Sequence, residues 1–246
     1  MGPDRAVGRL MAEPAPAAFV TYIFPEIRQR QLEVEELVPL GWRLCRSQFA
    51  GLLVIALLFG SIGLVPGWQE LKGWTGALIR CAVVLLGLMG TLTSAIFLDA
   101  ALRGQAISVG KAMRLGLGRW PAGLWTALIG WVIVAALTLC LLVPGIIWSL
   151  YYMFSQQVVA LRGLHGKPAL DYSKRLVVGR WWYVALTGFV IGLIVVIPGF
   201  IVTMLIKYLH VPTMLRLAAA PFLLVAAMFG QAVHLIWFLN VDAVRR

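Results

Sequence analysis

A chain of 246 residues in which 61% are hydrophobic and only 13% charged lies well outside the composition of a soluble globular domain. Its formal charge of +11 would suit nucleic acid if it were gathered on one face of a soluble domain. Here the basic residues punctuate long apolar runs instead, which assigns them to membrane topology and anionic headgroups, and no nucleic-acid partner is expected.

Residues 1–31 are rich in proline and alanine at their start and show no periodicity, so a mostly disordered cytoplasmic tail is expected. The run Glu13-Pro14-Ala15-Pro16-Ala17-Ala18 interrupts any apolar core that a secretory signal would need. From Leu32 to Arg46, Leu37, Leu40 and Leu44 recur at helical spacing among Glu33, Glu36, Arg43 and Arg46. That pattern predicts a helix lying in the membrane interface, broken or offset at Pro39.

Six spans are predicted. The first runs from Ser47 to Val65 and turns at Pro66-Gly67, before a short loop with Trp68, Glu70, Lys72 and Trp74 at headgroup level. The second covers Gly76 to Leu98, with Arg80 able to snorkel at its outer end and Asp99 and Arg103 at its inner end. A basic surface segment from Gln105 to Trp120 carries Lys111, Arg114 and Arg119. The third span, Ala122 to Val143, is about 22 residues, enough for a ~30 Å core, and stops at Pro144-Gly145. The fourth, Ile146 to Leu161, is short for a crossing at roughly 16 residues. Another surface segment, His165 to Arg180, carries Lys174 and Arg175 and opens with Pro168 suited to a first helical turn. The fifth span begins near Trp181 and reaches Pro198-Gly199, after which residues 200–209 either continue it as a kinked helix or fold back. The sixth runs from Leu217 to Leu239.

Two stretches repeat each other. Ala101-Leu102-Arg103-Gly104 followed by Arg114-Leu115-Gly116-Leu117-Gly118-Arg119-Trp120 matches Ala160-Leu161-Arg162-Gly163 followed by Arg175-Leu176-Val177-Val178-Gly179-Arg180-Trp181. The expected fold is therefore an all-α polytopic membrane protein. Its six transmembrane helices form three pseudo-repeated hairpins, about 32–104, 105–163 and 164–246, within a single domain 32–246, and each hairpin is preceded by a cytoplasmic interfacial helix. Seventeen basic residues fall on the side of the termini and surface segments, against Lys72, Arg80, Lys207 and Arg216 on the other, which places both termini in the cytoplasm.

Chemistry is sparsely represented. His165, His210 and His234 are far apart, and no His-Glu-x-x-His, Gly-x-Ser-x-Gly or acidic metal box occurs. Three cysteines, Cys45, Cys81 and Cys140, form no Cys-x-x-Cys pair. No catalysis, metal or cofactor is expected. Two residue sets remain. Lys111, Arg114, Arg119 and Trp120, with Lys174, Arg175, Arg180 and Trp181, are candidates for contact with anionic lipid or a partner protein. Asp99, Ser155, Gln156, Gln157, Gln231, His234 and Asn240 form a possible polar path at membrane depth. Read blandly, Asp99 pairs with Arg103 and the others are hydrogen bonds between packed helices. The small residues Gly87, Gly90, Thr91, Thr93 and Ser94 read as close helix packing.

Leu32-Glu33-Val34-Glu35-Glu36-Leu37 leading through Trp42-Arg43-Leu44 to a first span carries a resemblance. So do Leu142-Val143-Pro144-Gly145-Ile146-Ile147, Gly166-Lys167-Pro168-Ala169-Leu170-Asp171-Tyr172-Ser173 and Gly179-Arg180-Trp181-Trp182. Over residues 32–246 the chain resembles the membrane domain of glycerophosphoryl diester phosphodiesterases and related stand-alone six-span bacterial membrane proteins. The phosphodiesterase chemistry of that family belongs to a separate soluble barrel, so the resemblance implies no catalytic residue here. It implies a bacterial inner-membrane protein associated with lipid metabolism or a membrane-bound complex. The ending at Asn240 departs from the tyrosine-rich one of the family. A non-enzymatic module that organises lipids or scaffolds a partner is the leading expectation; the alternative is a small transporter or lipid-translocating protein with a path between three hairpins.

Overall fold

The computed structural model describes residues 22–60, 71–208 and 213–245. Among them the chain is helical, without strands. The helices are α1 (Glu26–Gln29), α2 (Val34–Ser47), α3 (Phe49–Gly60), α4 (Gly73–Leu102), α5 (Val109–Cys140), α6 (Leu142–Tyr152), α7 (Ser155–Arg162), α8 (Lys167–Val177), α9 (Trp181–Tyr208) and α10 (Thr213–Arg245). Within α4, α5, α9 and α10 lie stretches long and apolar enough to cross a membrane, and α2 with α3 would make a fifth crossing if that bent pair counts as one.

Helix α2 starts with a reciprocal cap: the Glu33 side chain accepts from the backbone of Glu36, and the Glu36 carboxylate accepts from the Glu33 N–H at 3.3 Å. The predicted stripe is real, since Leu37, Leu40 and Leu44 are all buried. Its partner is protein, however. A side chain at Gly41 would collide with Val233, so α2 lies directly on α10, and Trp42 meets Phe229 edge-on at 6.1 Å. Pro39 does not break the helix as expected. It sits inside α2 on the exposed face. The break comes later, where α2 and α3 meet at 86° around Gln48.

Residues 22–31, expected in the tail, are ordered against the bundle. The Ile23 N–H donates to the Leu102 carbonyl at 2.8 Å, and Ile27 is completely buried beside α10. Residues 1–21 lie outside the described part.

Helix α5 overturns a second expectation. The basic segment and the third span are one continuous helix, with Ser108 capping its start by accepting from the Lys111 N–H and Pro121 inside it. Gly116, Gly123 and Gly130, seven residues apart, place one smooth face along its length. Side chains added there would meet Thr93 at Gly116, Leu92 and Gln156 at Gly123, and Leu170 at Gly130. One packing face shared by both segments holds them in line.

Two of the predicted Pro-Gly turns lie elsewhere, and the third, Pro66-Gly67, is outside the described residues. Helix α5 ends at Cys140, the reversal falls at the extended Leu141, and Pro144-Gly145 belongs to the first turn of α6, where a missing donor costs little. Gly145 is required for a different reason, because any side chain would strike Thr138 across the hairpin. Pro198-Gly199 is no turn either: α9 continues through it to Tyr208, which settles residues 200–208 as helix. The fourth predicted span is split into α6 and α7 by a break at Met153 and Phe154. Gly163, at φ +69°, ends α7 in the left-handed conformation that glycine accepts without strain.

Burial is uneven along the bundle. Leu92 to Ala100 of α4, Leu235 to Asp242 of α10 and Val158 to Ala160 of α7 are all buried. The opposite parts of the helices, including Leu139, Leu142, Val143, Val196 and Phe200, are exposed apolar surface. The tightly packed end is also where Arg103, Lys111, Arg119, Arg162, Arg180 and Arg245 lie, and it is called the basic end below.

Candidate functional site

At the basic end the Arg103 guanidinium pairs with the Asp99 carboxylate one turn earlier on α4, at 2.7 Å. That is the bland reading of Asp99. The pair borders a recess of about 270 Å³ between α4, α5 and α7, which Gln105, Lys111 and Arg119 also line. Arg119 donates to the Ala160 carbonyl at the end of α7, so its side chain is anchored across the recess. Asp99 Oδ1 and Arg103 Nε are buried without a hydrogen-bond partner. Burial, reinforced by the Asp99 carboxylate, pushes the Tyr22 hydroxyl above its usual range, which marks the docked N-terminal segment as part of this neighbourhood.

The predicted contact set divides by environment. Lys111, Arg114 and Arg175 are exposed. Lys174 is held over the Trp148 ring at 4.4 Å and near Tyr151 at 5.6 Å, a cation-π arrangement at the end of α8. Arg175 lies over Tyr172 at 5.4 Å. Trp120, Trp181 and Arg180 are half-buried, and the Trp120 and Trp181 ring nitrogens and one Arg180 nitrogen have no partner.

Two polar groupings went unforeseen. Asp242, 3% exposed, accepts from Arg162 and from the Tyr172 hydroxyl, tying α7, α8 and α10 together. Asn240, fully buried, donates to the Ile27 carbonyl at 2.8 Å and the Arg30 carbonyl at 2.7 Å, and accepts from the Leu32 N–H at 3.0 Å. Asn240 was expected on a polar path; instead it holds the N-terminal segment against α10. Local spacing offers no signal for either grouping, since the partners are 70 to 213 residues apart.

The remaining path residues converge deeper in the bundle. Gln156 and Gln157 of α7 and Gln231 and His234 of α10 line one open cleft of about 460 Å³, together with Thr91 of α4, Trp237 of α10 and residues of the Gly188 to Val196 stretch of α9. Ser155 opens onto a neighbouring cavity of about 550 Å³ that Gln156 also lines. The Gln157 amide nitrogen lies 2.6 Å from His234 Nδ1. Accepting there leaves the imidazole proton on Nε2. The His234 ring stacks on Phe154 at 5.5 Å and meets Trp237 edge-on at 5.8 Å, which fixes its plane. Gln156 donates to the Gly123 carbonyl at 3.4 Å. The side-chain oxygens of Gln156 and Gln157 are buried and accept nothing. Toward the basic end the same helices are solidly packed, with Phe154, Val158 and Phe238 fully buried, so the cavity is closed on that side.

Among the described residues no group of three His, Cys, Asp or Glu side chains is placed to hold a metal ion. Comparison with protein-family models, with curated proteins and with solved structures finds no match to this chain.

Proposed function

We propose that the chain is a six-span protein of a bacterial inner membrane, with both termini in the cytoplasm, that organises anionic lipid at its basic end without catalysing a reaction. The observation that carries this reading is the recess where Arg103, Lys111 and Arg119 converge around one carboxylate, Asp99. Three cations against one anion leave a net positive site of headgroup size. Trp120 on α5 and Trp181 on α9 lie one residue beyond Arg119 and Arg180, the position tryptophan favours at a membrane boundary. Exposed Arg114 and Arg175 extend the positive surface. In this frame the two halves of the fourth crossing are α6 and α7, and α2 with α3 supplies the first. The three-hairpin repeat and the family resemblance rest on the sequence motifs alone, and a lipid role agrees with both.

Spin-labelled lipids in reconstituted bilayers test it. Phosphatidylglycerol should be enriched over phosphatidylcholine in the motionally restricted shell. Lys111→Glu, Arg114→Glu and Arg175→Glu together should lower that selectivity by at least about tenfold, since each basic residue near the surface contributes roughly 1 kcal/mol. These three side chains are exposed, so the fold should survive. Unchanged selectivity would defeat the reading.

A second reading, translocation of a small or lipid substrate, is favoured by one observation: the convergence of Gln156, Gln157, Gln231 and His234 on a common cavity.

A further inference from the structure

The recess at the basic end has a charge balance that says which anion it takes, an inference that rests on the anionic-lipid reading. Its ionisable lining is Asp99 and Arg103 from α4 with Lys111 and Arg119 from α5. Arg103 is committed to Asp99 at 2.7 Å. Arg162 lies within electrostatic reach of Asp99, but its own charge is taken up by Asp242. Among the described residues neither Lys111 nor Arg119 belongs to an ion pair. Two cations on one recess are therefore left without a counter-charge from the chain.

Their settings suit the capture of an anion. Arg119 is half-buried and fixed in place, since it donates to the Ala160 carbonyl of α7, itself part of the lining. A neutral carbonyl orients a guanidinium without discharging it, and a partly buried charge left uncompensated gains most from a partner supplied from outside. Lys111 is exposed, in the first turn of α5. The four-residue spacing of Lys111, Leu115 and Arg119 puts all three on one stripe of that helix, and all three line the recess. Helical side chains lean toward the N-terminus, which tilts Arg119 toward Lys111. No acidic residue stands in the first turn of α5, so the positive end of the helix adds to the same field. The three clefts nearer the opposite end differ in kind, for none of them is lined by Asp, Glu, Lys or Arg.

We propose that this recess binds a phosphate monoester in its dianionic form. Such a phosphate carries a charge of about −1.5 to −2 near neutrality and three terminal oxygens, so it matches two unpaired cations. Those cations in turn favour loss of its second proton. A diester phosphate brings one charge and two terminal oxygens and would leave one cation uncompensated. The volume of about 270 Å³ is just below the usual range for a whole drug-sized ligand, which suits a phosphate and its glycerol. Phosphatidate in the bilayer and glycerol 3-phosphate in solution share this chemistry.

The test is native mass spectrometry of the full protein released from phosphatidylcholine nanodiscs that contain equal small fractions of dioleoyl phosphatidate, phosphatidylglycerol and phosphatidylmethanol. Phosphatidylmethanol differs from phosphatidate only in the capped oxygen and the lost charge. The first bound phosphatidate should be held about fivefold more tightly than either diester, the effect of one more charge facing a basic site. Excess glycerol 3-phosphate separates the two sources: if it displaces phosphatidate the head alone suffices, and if it does not, the ligand is the lipid.

Three variants complete the test. Lys111→Gln removes one of the unpaired cations and should bring the ratio of phosphatidate to diester down to about one, a fivefold loss. Leu115→Trp fills the recess from a side chain that is 44% exposed, so it should fold and abolish the preference. Arg114→Gln removes a cation of the same helix that does not line the recess, and should weaken all three anionic lipids alike while the ratio stays. Equal retention of the three anionic lipids would overturn the proposal and leave the anionic-lipid reading standing, whereas retention of none of them above phosphatidylcholine would defeat both. A phosphatidate preference that survives in folded Lys111→Gln or Leu115→Trp would also overturn it.

Discussion

Replacing Asn240 by leucine, which keeps the branched heavy-atom skeleton but no polar atom, is expected to destabilise the protein by roughly 3 to 5 kcal/mol. The asparagine side chain is fully buried and satisfies three backbone groups, the carbonyls of Ile27 and Arg30 and the N–H of Leu32. Leucine would leave all three without this partner, the Ile27 carbonyl and the Leu32 N–H in buried positions. The N-terminal segment has further anchors: Ile27 itself, Ile23 on the Leu102 carbonyl and the Tyr183 hydroxyl on the Leu32 carbonyl at 2.5 Å. The predicted failure is therefore local first. Residues 22–33 should become protease-sensitive in detergent while the bundle persists, and the thermal midpoint should fall by about 10 °C. A midpoint within a degree or two of the parent, with the segment still protected, would show that Asn240 is not the fastening.

The second large effect concerns Asp242. Its carboxylate, 3% exposed, faces the Arg162 guanidinium, 21% exposed, with the Tyr172 hydroxyl on its other oxygen. Asp242→Leu strands a partly buried guanidinium, and removing one partner of such a pair costs about 3 to 5 kcal/mol. Removing both charges avoids that penalty. The double variant Arg162→Leu with Asp242→Leu should therefore recover more than half of the loss, because an apolar pair of similar volume replaces the buried ions at little cost. Chemical denaturation in mixed micelles measures all four corners of this cycle. If the double variant is as unstable as the sum of the singles, Arg162 and Asp242 act separately.

These two fastenings also show where sequence reasoning stopped. Whatever depends on local periodicity was legible: the apolar runs that became α4, α5, α9 and α10, and the stripe of Leu37, Leu40 and Leu44 on α2. Whatever depends on a partner far along the chain was not. Asn240 looked like a candidate for a hydrated path because a polar residue at the end of an apolar helix carries no mark of what it will touch. Only the docking of residues 27–32 beside it gives it backbone partners. The stripe on α2 was legible as a stripe, but nothing in its spacing says that Gly41 will rest on Val233 rather than on lipid.

Proline and glycine misled for a related reason. Pro144-Gly145 and Pro198-Gly199 were expected to turn the chain, since their backbone preferences permit it. In the structure Pro144 occupies a first helical turn, where its missing donor is unneeded, and Gly145 serves close approach to Thr138. Glycine without a side chain and glycine with an unusual φ are indistinguishable in a sequence. Gly116, Gly123 and Gly130 belong to the first kind and lock α5 to its neighbours, while Gly163 and Gly166, with positive φ, belong to the second and shape the connection from α7 to α8.

The structure divides the polar set of the candidate site. Gln156, Gln157, Gln231 and His234 do share one cavity, because α7 and α10 bring them face to face through the Gln157 to His234 contact. Ser155 points into the neighbouring space, and Asp99 and Asn240 are bound up at the basic end. Thr91 and Trp237 were missed as lining residues. Each looks in sequence like ordinary packing.

The proposed membrane frame, with the basic end facing the cytoplasm, is tested most directly by side-specific labelling of single cysteines. Cys45, Cys81 and Cys140 are first replaced, and Lys72→Cys, Lys111→Cys and Arg175→Cys are then expressed one at a time. In intact cells a membrane-impermeant maleimide should label position 72 and leave 111 and 175 untouched until the membrane is opened. Labelling of 111 or 175 from outside, with 72 protected, would contradict the account.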